Sequence, residues 1–326
     1  MPQLSLRWII GIAAALLIAA PNALFATPEE TILTDAEAQE TVAQTATAPD
    51  AGRADPAMWV VRDDDSEIWL LGTFHILPPG LDWRSDALAR AIDAADKIYF
   101  EAEVDTPDAQ QKTIQTLMTQ GFLPKGASLS AMLGDDDATM LQQVSAEVGL
   151  PFEAVDTMRP WQAFLNLTVQ YIVSQGFDPS SGVETVLLSE ARVRGRDLGF
   201  FETVSEQLAL FTSLDPEVEL ELLRLTLRDW DKQDEQFAEL FRAWREGDVD
   251  AIDRLMNDTM RVDAPEVYDA LLIQRNAAWG ESIERLMAGR GRILVAVGAG
   301  HLVGDKSVPA ILAEKGFDVS RYGLDD

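Results

Sequence analysis

The sequence predicts an α/β protein with a central mixed β-sheet, flanking helices and a large helical lobe. Three observations predict it. From Met58 onward, short apolar runs alternate with long stretches of helical periodicity, the pattern of a helix-covered sheet. The span from about Ser205 to Ala288 is nearly all helical, so a helical lobe should sit on the sheet. Two of the apolar runs end in matching Gly-x-x-His turns, as expected of strands that deliver side chains to one edge.

The elements follow in order. Residues 1–26 read as a secretory signal: Arg7 precedes an apolar run of 13 residues, Trp8–Ala20, then Pro21, Asn22 and a small residue at Ala26. That run is short of the roughly 20 residues a membrane span needs; an uncleaved N-terminal anchor is the alternative. The mature chain is therefore expected in the periplasm or outside the cell. Residues 27–55 hold seven acids and only Arg53 as a base, and read as a flexible acidic linker. The domain takes up 56–326. Trp59-Val60-Val61 and Ile68–Leu71 flank the polar turn Asp63-Asp64-Asp65-Ser66 and read as a hairpin. Further strands are expected at Ile98–Phe100, Leu198–Phe201 and Ile293–Val297, with an edge strand at Val319–Tyr322. Helical patterns cover Ser85–Ala95, Asp108–Thr119, Leu129–Val148, Met158–Gln175, Val183–Val193, Ser205–Ser213, Glu217–Leu255 in two or three pieces, and Pro265–Met287. No run after the signal segment is long and apolar enough to span a bilayer.

Composition removes whole classes of function. Acids number 55 against 26 Lys plus Arg, a net charge of −29. Such a surface disfavours nucleic acid and anionic membranes as partners. With no Cys there are no disulfides, thiolate metal sites or Cys nucleophiles. Imidazole chemistry must use His75 or His301, the two His in the chain.

Both His fall in the same frame, Gly72-Thr73-Phe74-His75 after Ile68–Leu71 and Gly298-Ala299-Gly300-His301 after Ile293–Val297. A lone His after a strand is ordinarily a hydrogen-bonded loop residue. Two in matching frames, beyond strand ends where α/β sheets bind ligands, point to one shared divalent metal site. Gly298, Gly300 and Gly304 do not have the phosphate-loop spacing. A carboxylate would complete a His₂-carboxylate set. Glu101 follows one strand, with Glu103 and Asp105 beyond it; Glu202 follows another, with Glu206 one turn on. Any one of these acids is ordinarily solvated or capping. The matching positions of Glu101 and Glu202 single them out. The strand of Glu101 is expected beside the strand leading to His75.

With the His frames, Glu101, the run Gly199–Leu208, Arg275-Asn276, Met158-Arg159-Pro160-Trp161 and Gly182-Val183-Glu184, the sequence resembles the TraB/GumN family over about residues 58–322. That family includes TIKI Wnt-inactivating proteases and pheromone-shutdown proteins. Its third landmark usually reads Gly-Val-Asp, so Glu184 is a departure and stays outside the expected ligand set. The resemblance implies a fold related to the erythromycin-esterase and ChaN-like proteins and a metal-dependent hydrolase site, with peptide-bond cleavage in TIKI members.

On this reading His75, His301 and Glu101 hold a divalent ion, Mn, Co or Zn. The ion lowers the pKa of a bound water from ~15.7 toward 7. Glu101 or Glu202 is the general base. Arg275 clamps a substrate carboxylate or a developing oxyanion. It should act on substrate rather than metal, since a cation beside the ion is repelled unless an anion lies between them. Asn276 caps or orients a loop. The expected partner is a peptide or protein substrate. The competing reading is a non-catalytic metal- or haem-binding protein on the same fold; a third is a docking scaffold with an idle His pair.

Overall fold

The computed structural model describes residues 52–323. The signal-like segment 1–26 and nearly all of the expected linker lie outside them. The last linker residues are already attached: Ala54 N donates to Asp82 O (2.7 Å) and Asp55 N to Arg245 O (2.8 Å). Ala54 is buried, so packing begins a few residues before the expected start.

Six strands form one sheet in the order β4-β3-β5-β2-β1-β6. They are β1 (Met58–Arg62), β2 (Ser66–Thr73), β3 (Lys97–Glu103), β4 (Asp197–Thr203), β5 (Gly291–Gly298) and β6 (Asp318–Arg321). β4, β3, β5 and β2 run parallel, while β1 is antiparallel to both β2 and β6. The mixed α/β class expected from sequence is therefore present. The expected strand neighbours are not: β5 lies between β2 and β3, so Glu101's strand borders the His301 strand and the His75 strand lies one further away.

The two central strands are covered on both faces and read as near-continuous apolar runs. Ile68 to Leu71 and Leu294 to Val297 are all buried. The β1–β2 turn is closed by Asp63, whose carboxylate accepts from the backbone of Asp65 and Ser66 (3.1 and 2.7 Å). β6 alternates in exposure, as an edge strand does.

The helical expectations hold with breaks whose causes are local. Leu129–Val148 is two helices, Leu129–Leu133 and Asp135–Glu147, because Gly134 turns the chain at φ +87°. Pro160 opens the helix Pro160–Ser174, so Met158 lies outside it. The span 217–255 holds Pro216–Arg228, Gln233–Arg245 and a short helix that passes into a π turn at Asp253–Asp258. A second π turn, Asp269–Ile273, precedes the helix Gln274–Met287.

The lobe is fastened to the sheet beside the first His frame. Trp244 Nε1 donates to Gly72 O (3.0 Å), and Phe74 packs against Phe237, Phe241 and Trp244 at ring separations of 5.5–6.2 Å. Gly182 lets the helix Val183–Val193 begin against the His75 turn: a Cβ there would lie 1.9 Å from His75 O. Val183 N then donates to Phe74 O (3.2 Å). No helix among the described residues is long and apolar enough to cross a membrane.

A candidate metal centre at the strand ends

The carboxyl ends of β2, β5, β3 and β4 lie side by side, and three helices close over them. β2 leads to His75, β5 to His301, β3 carries Glu101 and β4 carries Glu202. The helix Gln274–Met287 supplies Arg275, Asn276 and Trp279. The helix Val183–Val193 supplies Glu184, and the helix Val204–Thr212 supplies Gln207. All six residues expected from sequence, His75, His301, Glu101, Glu202, Arg275 and Asn276, meet in this one cluster.

The half around His75 has polar atoms to spare. His75 Nδ1 lies 2.8 Å from Glu184 Oε1, close but not aligned as a hydrogen bond. Both ring nitrogens of His75 and Glu184 Oε2 are buried without a hydrogen-bond partner. Thr73 Oγ1 donates to Glu184 Oε1 and fixes that carboxylate. Glu101 Oε1 accepts from Gly298 N (2.8 Å). A Cβ on Gly298 would sit 3.3 Å from both Glu101 Oε1 and His75 Nε2, so glycine leaves open a small space between them. One ligand atom each from His75, Glu101 and Glu184 lies within 4.8 Å of the others. Buried polar atoms without partners cost free energy unless something satisfies them. An imidazole and two carboxylates around an open space fit a divalent cation.

The half around His301 is closed. Asn276 Nδ2 donates to Lys306 O (2.9 Å), which turns Asn276 Oδ1 toward His301 Nδ1 at 2.6 Å. That carbonyl can only accept, so Nδ1 carries the proton and Nε2 presents a lone pair. Arg275 Nη1 lies 3.1 Å from that Nε2 and donates to it. The remaining donors of Arg275 are also engaged. Nε donates to Glu202 Oε1 (2.7 Å), Nη1 to Leu271 O (3.1 Å), and Nη2 to Glu101 Oε2 (2.7 Å) and Glu202 Oε2 (2.9 Å). A guanidinium has five N–H groups, and none is left for a substrate. Trp279 lies under Arg275 at 4.7 Å, donates to Glu202 Oε1 (3.0 Å), and has its ring 4.4 Å from that of His301. Gln207 Nε2 donates to Glu101 Oε2 (3.1 Å). His301 Nε2 is 4.0 Å from Glu101 Oε1.

The electrostatics follow from these contacts. Burial pushes His301 down and Arg275 pushes it further, to about 3, so this ring is neutral. Burial alone would lower His75 as well, but the Glu184 carboxylate outweighs it and raises His75. Burial would raise Glu101; the Arg275 guanidinium above all, with the Gly298 N–H, overcomes it and holds the carboxyl at about 2. Burial raises Glu202 despite its bonds to Arg275. Glu101, Glu184 and Glu202 when ionised carry three negative charges against one on Arg275, which leaves two to be balanced. A divalent ion would balance them.

The remaining acids considered from sequence do ordinary work. Glu103 and Asp105 pair with Arg192 at the surface. Glu206 forms a capping box with Thr203. Sequence reasoning missed Gln207, Trp279 and Thr73 and set Glu184 aside. The one signal for Glu184 was its place directly after Gly182-Val183, and the longer Glu side chain still reaches His75.

The chain belongs to the TraB/PrgY/gumN family, whose model matches residues 57–321. It is similar to the uncharacterized protein YbaP of Escherichia coli, 25% identical over 79% of this chain and 92% of that protein. It is also similar to an uncharacterized protein of Treponema pallidum, 23% identical over 79% of this chain and 80% of that one. No solved structure matches, so the expected kinship with erythromycin-esterase and ChaN-like folds rests on the sequence resemblance alone.

Proposed function

We propose that this family member is an exported, metal-dependent hydrolase that cleaves a peptide bond in a peptide or protein substrate. The observation that carries the proposal is the set of buried, unpartnered atoms on His75 and Glu184 beside Glu101, around the space that Gly298 leaves open. His75, Glu101 and Glu184 hold the ion, one of Mn, Co or Zn. Bound there, it supplies Lewis acidity and a water of lowered pKa.

The chain's own groups do the rest. Gln207 and Gly298 N orient the Glu101 carboxylate. Thr73 fixes Glu184. Glu202 is the proton acceptor: its side chain is the most exposed of the three carboxylates, 13% against 1–2%, and burial raises its pKa toward the working range of a base. Arg275 orients Glu202 and Glu101, a revision of the clamp role expected from sequence, because its donors are all engaged. Asn276 fixes the tautomer of His301. Export is supported by the signal-like residues 1–26.

One observation favours a second reading, a metal-binding protein without turnover: the side chains of His75, Glu101 and Glu184 are each 2% exposed or less. Digestion of a peptide library by the chain from Gly52 onward, with added Mn²⁺, Co²⁺ or Zn²⁺, separates the two. Cleavage that chelation abolishes and metal restores supports the hydrolase. Tight metal binding with no turnover of peptides or esters leaves the binding protein.

A further inference from the structure

The Arg275 guanidinium stands where a cation would be expected to have ligands. Glu101 Oε2, both oxygens of Glu202 and His301 Nε2 surround it at 2.7–3.1 Å. Three carboxylate oxygens and an imidazole lone pair are a donor set for Mn²⁺ or Zn²⁺ as much as for an arginine. We propose that Arg275 is a built-in cation occupying a second metal position, so that the centre is a two-cation carboxylate site in which the chain itself supplies one of the cations. The inference rests on the metal reading above and extends it.

Three features support it. First, Glu101 bridges. Its Oε1 faces Gly298 N and the His75 side, and its Oε2 faces Arg275. In two-metal centres the ions lie about 3.5–4 Å apart and act on opposite sides of the reacting group. Secondly, the ligands around Arg275 are held by residues other than Arg275. Trp279 Nε1 donates to Glu202, Asn276 fixes His301, and Gln207 donates to Glu101. The pocket is therefore not merely a shape imposed by the arginine. Thirdly, one guanidinium plus one divalent ion balances Glu101, Glu184 and Glu202, so the wild-type centre has no charge left for a second ion. The built-in cation also explains why His301 presents a lone pair that no ion need satisfy.

Equilibrium dialysis against Zn²⁺ or Mn²⁺, read as ions per folded chain, tests it. Wild type should take one ion and the Arg275→Ala variant two. The second should bind more weakly than the first and be displaced by millimolar guanidinium chloride, which refills the vacated position. Arg275→Ala with Glu202→Gln should return to one ion, and Arg275→Lys, which keeps a cation, should stay at one. Folding is checked by thermal melts; if Arg275→Ala does not fold, Arg275→Gln, which keeps bulk and loses charge, is read in its place. A folded Arg275→Ala protein that still takes one ion, with guanidinium without effect, overturns this inference alone. So does a wild type that takes two. A wild type that takes none overturns the metal reading, and this inference falls with it.

Discussion

The two Gly-x-x-His turns look alike in sequence and are opposites in the fold. At His75, Nε2 has no hydrogen-bond partner, Nδ1 meets only the Glu184 carboxylate at 2.8 Å without an aligned bond, and Glu184 has a free oxygen. At His301 both nitrogens are engaged, one by Asn276 and one by Arg275. An unsatisfied buried donor set has something to gain from a ligand; a satisfied one must first give up bonds worth about 1.5–3 kcal/mol each where charge is involved. Matching motifs thus do not imply matching roles. On the proposed reading the first turn would hold the ion and the second would frame the centre.

The largest expected effects fall on the first turn. His75→Ala and Glu184→Ala should each weaken metal binding by more than the roughly 10–100-fold that follows loss of a residue touching a ligand rather than the ion. His301→Ala should stay within that range. Isothermal titration with Zn²⁺ measures all three. Equal, large losses at His75 and His301, with a double variant no worse than either, would restore the two-His ion expected from sequence.

Arg275→Ala comes next, and its effect is on stability. The guanidinium is 7% exposed and pairs with Glu101 and Glu202. Removing one partner of such a buried pair costs about 3–5 kcal/mol. Chemical denaturation of the metal-free protein should show that loss, and metal should recover part of it. Asn276→Ala should cost about 1–3 kcal/mol by stranding His301 Nδ1 and Lys306 O, while metal affinity changes less than about tenfold. A hundredfold loss of affinity would place His301 among the ligands. The smallest effect is expected outside the centre. Thr203→Ala loses the N-cap and its capping box and about 0.5–2 kcal/mol of stability, with metal affinity unchanged.

How much of this was legible follows the range of each interaction. Strands, helices and breaks such as Gly134 are written in local pattern and turn chemistry. The strand-end positions of His75, His301, Glu101 and Glu202 were legible for the same reason, and Arg275-Asn276 through the family resemblance. Strand order was not: β5 pairs with β2 and β3, segments some 200 positions away in the chain, and that moved Glu101 next to the His301 strand. Glu184 was hidden because its approach depends on the backbone contact between Gly182 and the His75 turn, a meeting of segments distant in sequence. The closed state of Arg275 was hidden too, since it takes five acceptors from four elements to engage one guanidinium.

The most direct test of the account is anomalous diffraction from crystals of the chain soaked in Mn²⁺ or Zn²⁺. The account predicts one peak in the space beside Gly298, within coordination distance of His75, Glu101 and Glu184, with Arg275 still bonded to Glu202 and His301. A peak coordinated by His301, with Arg275 swung away, would contradict it.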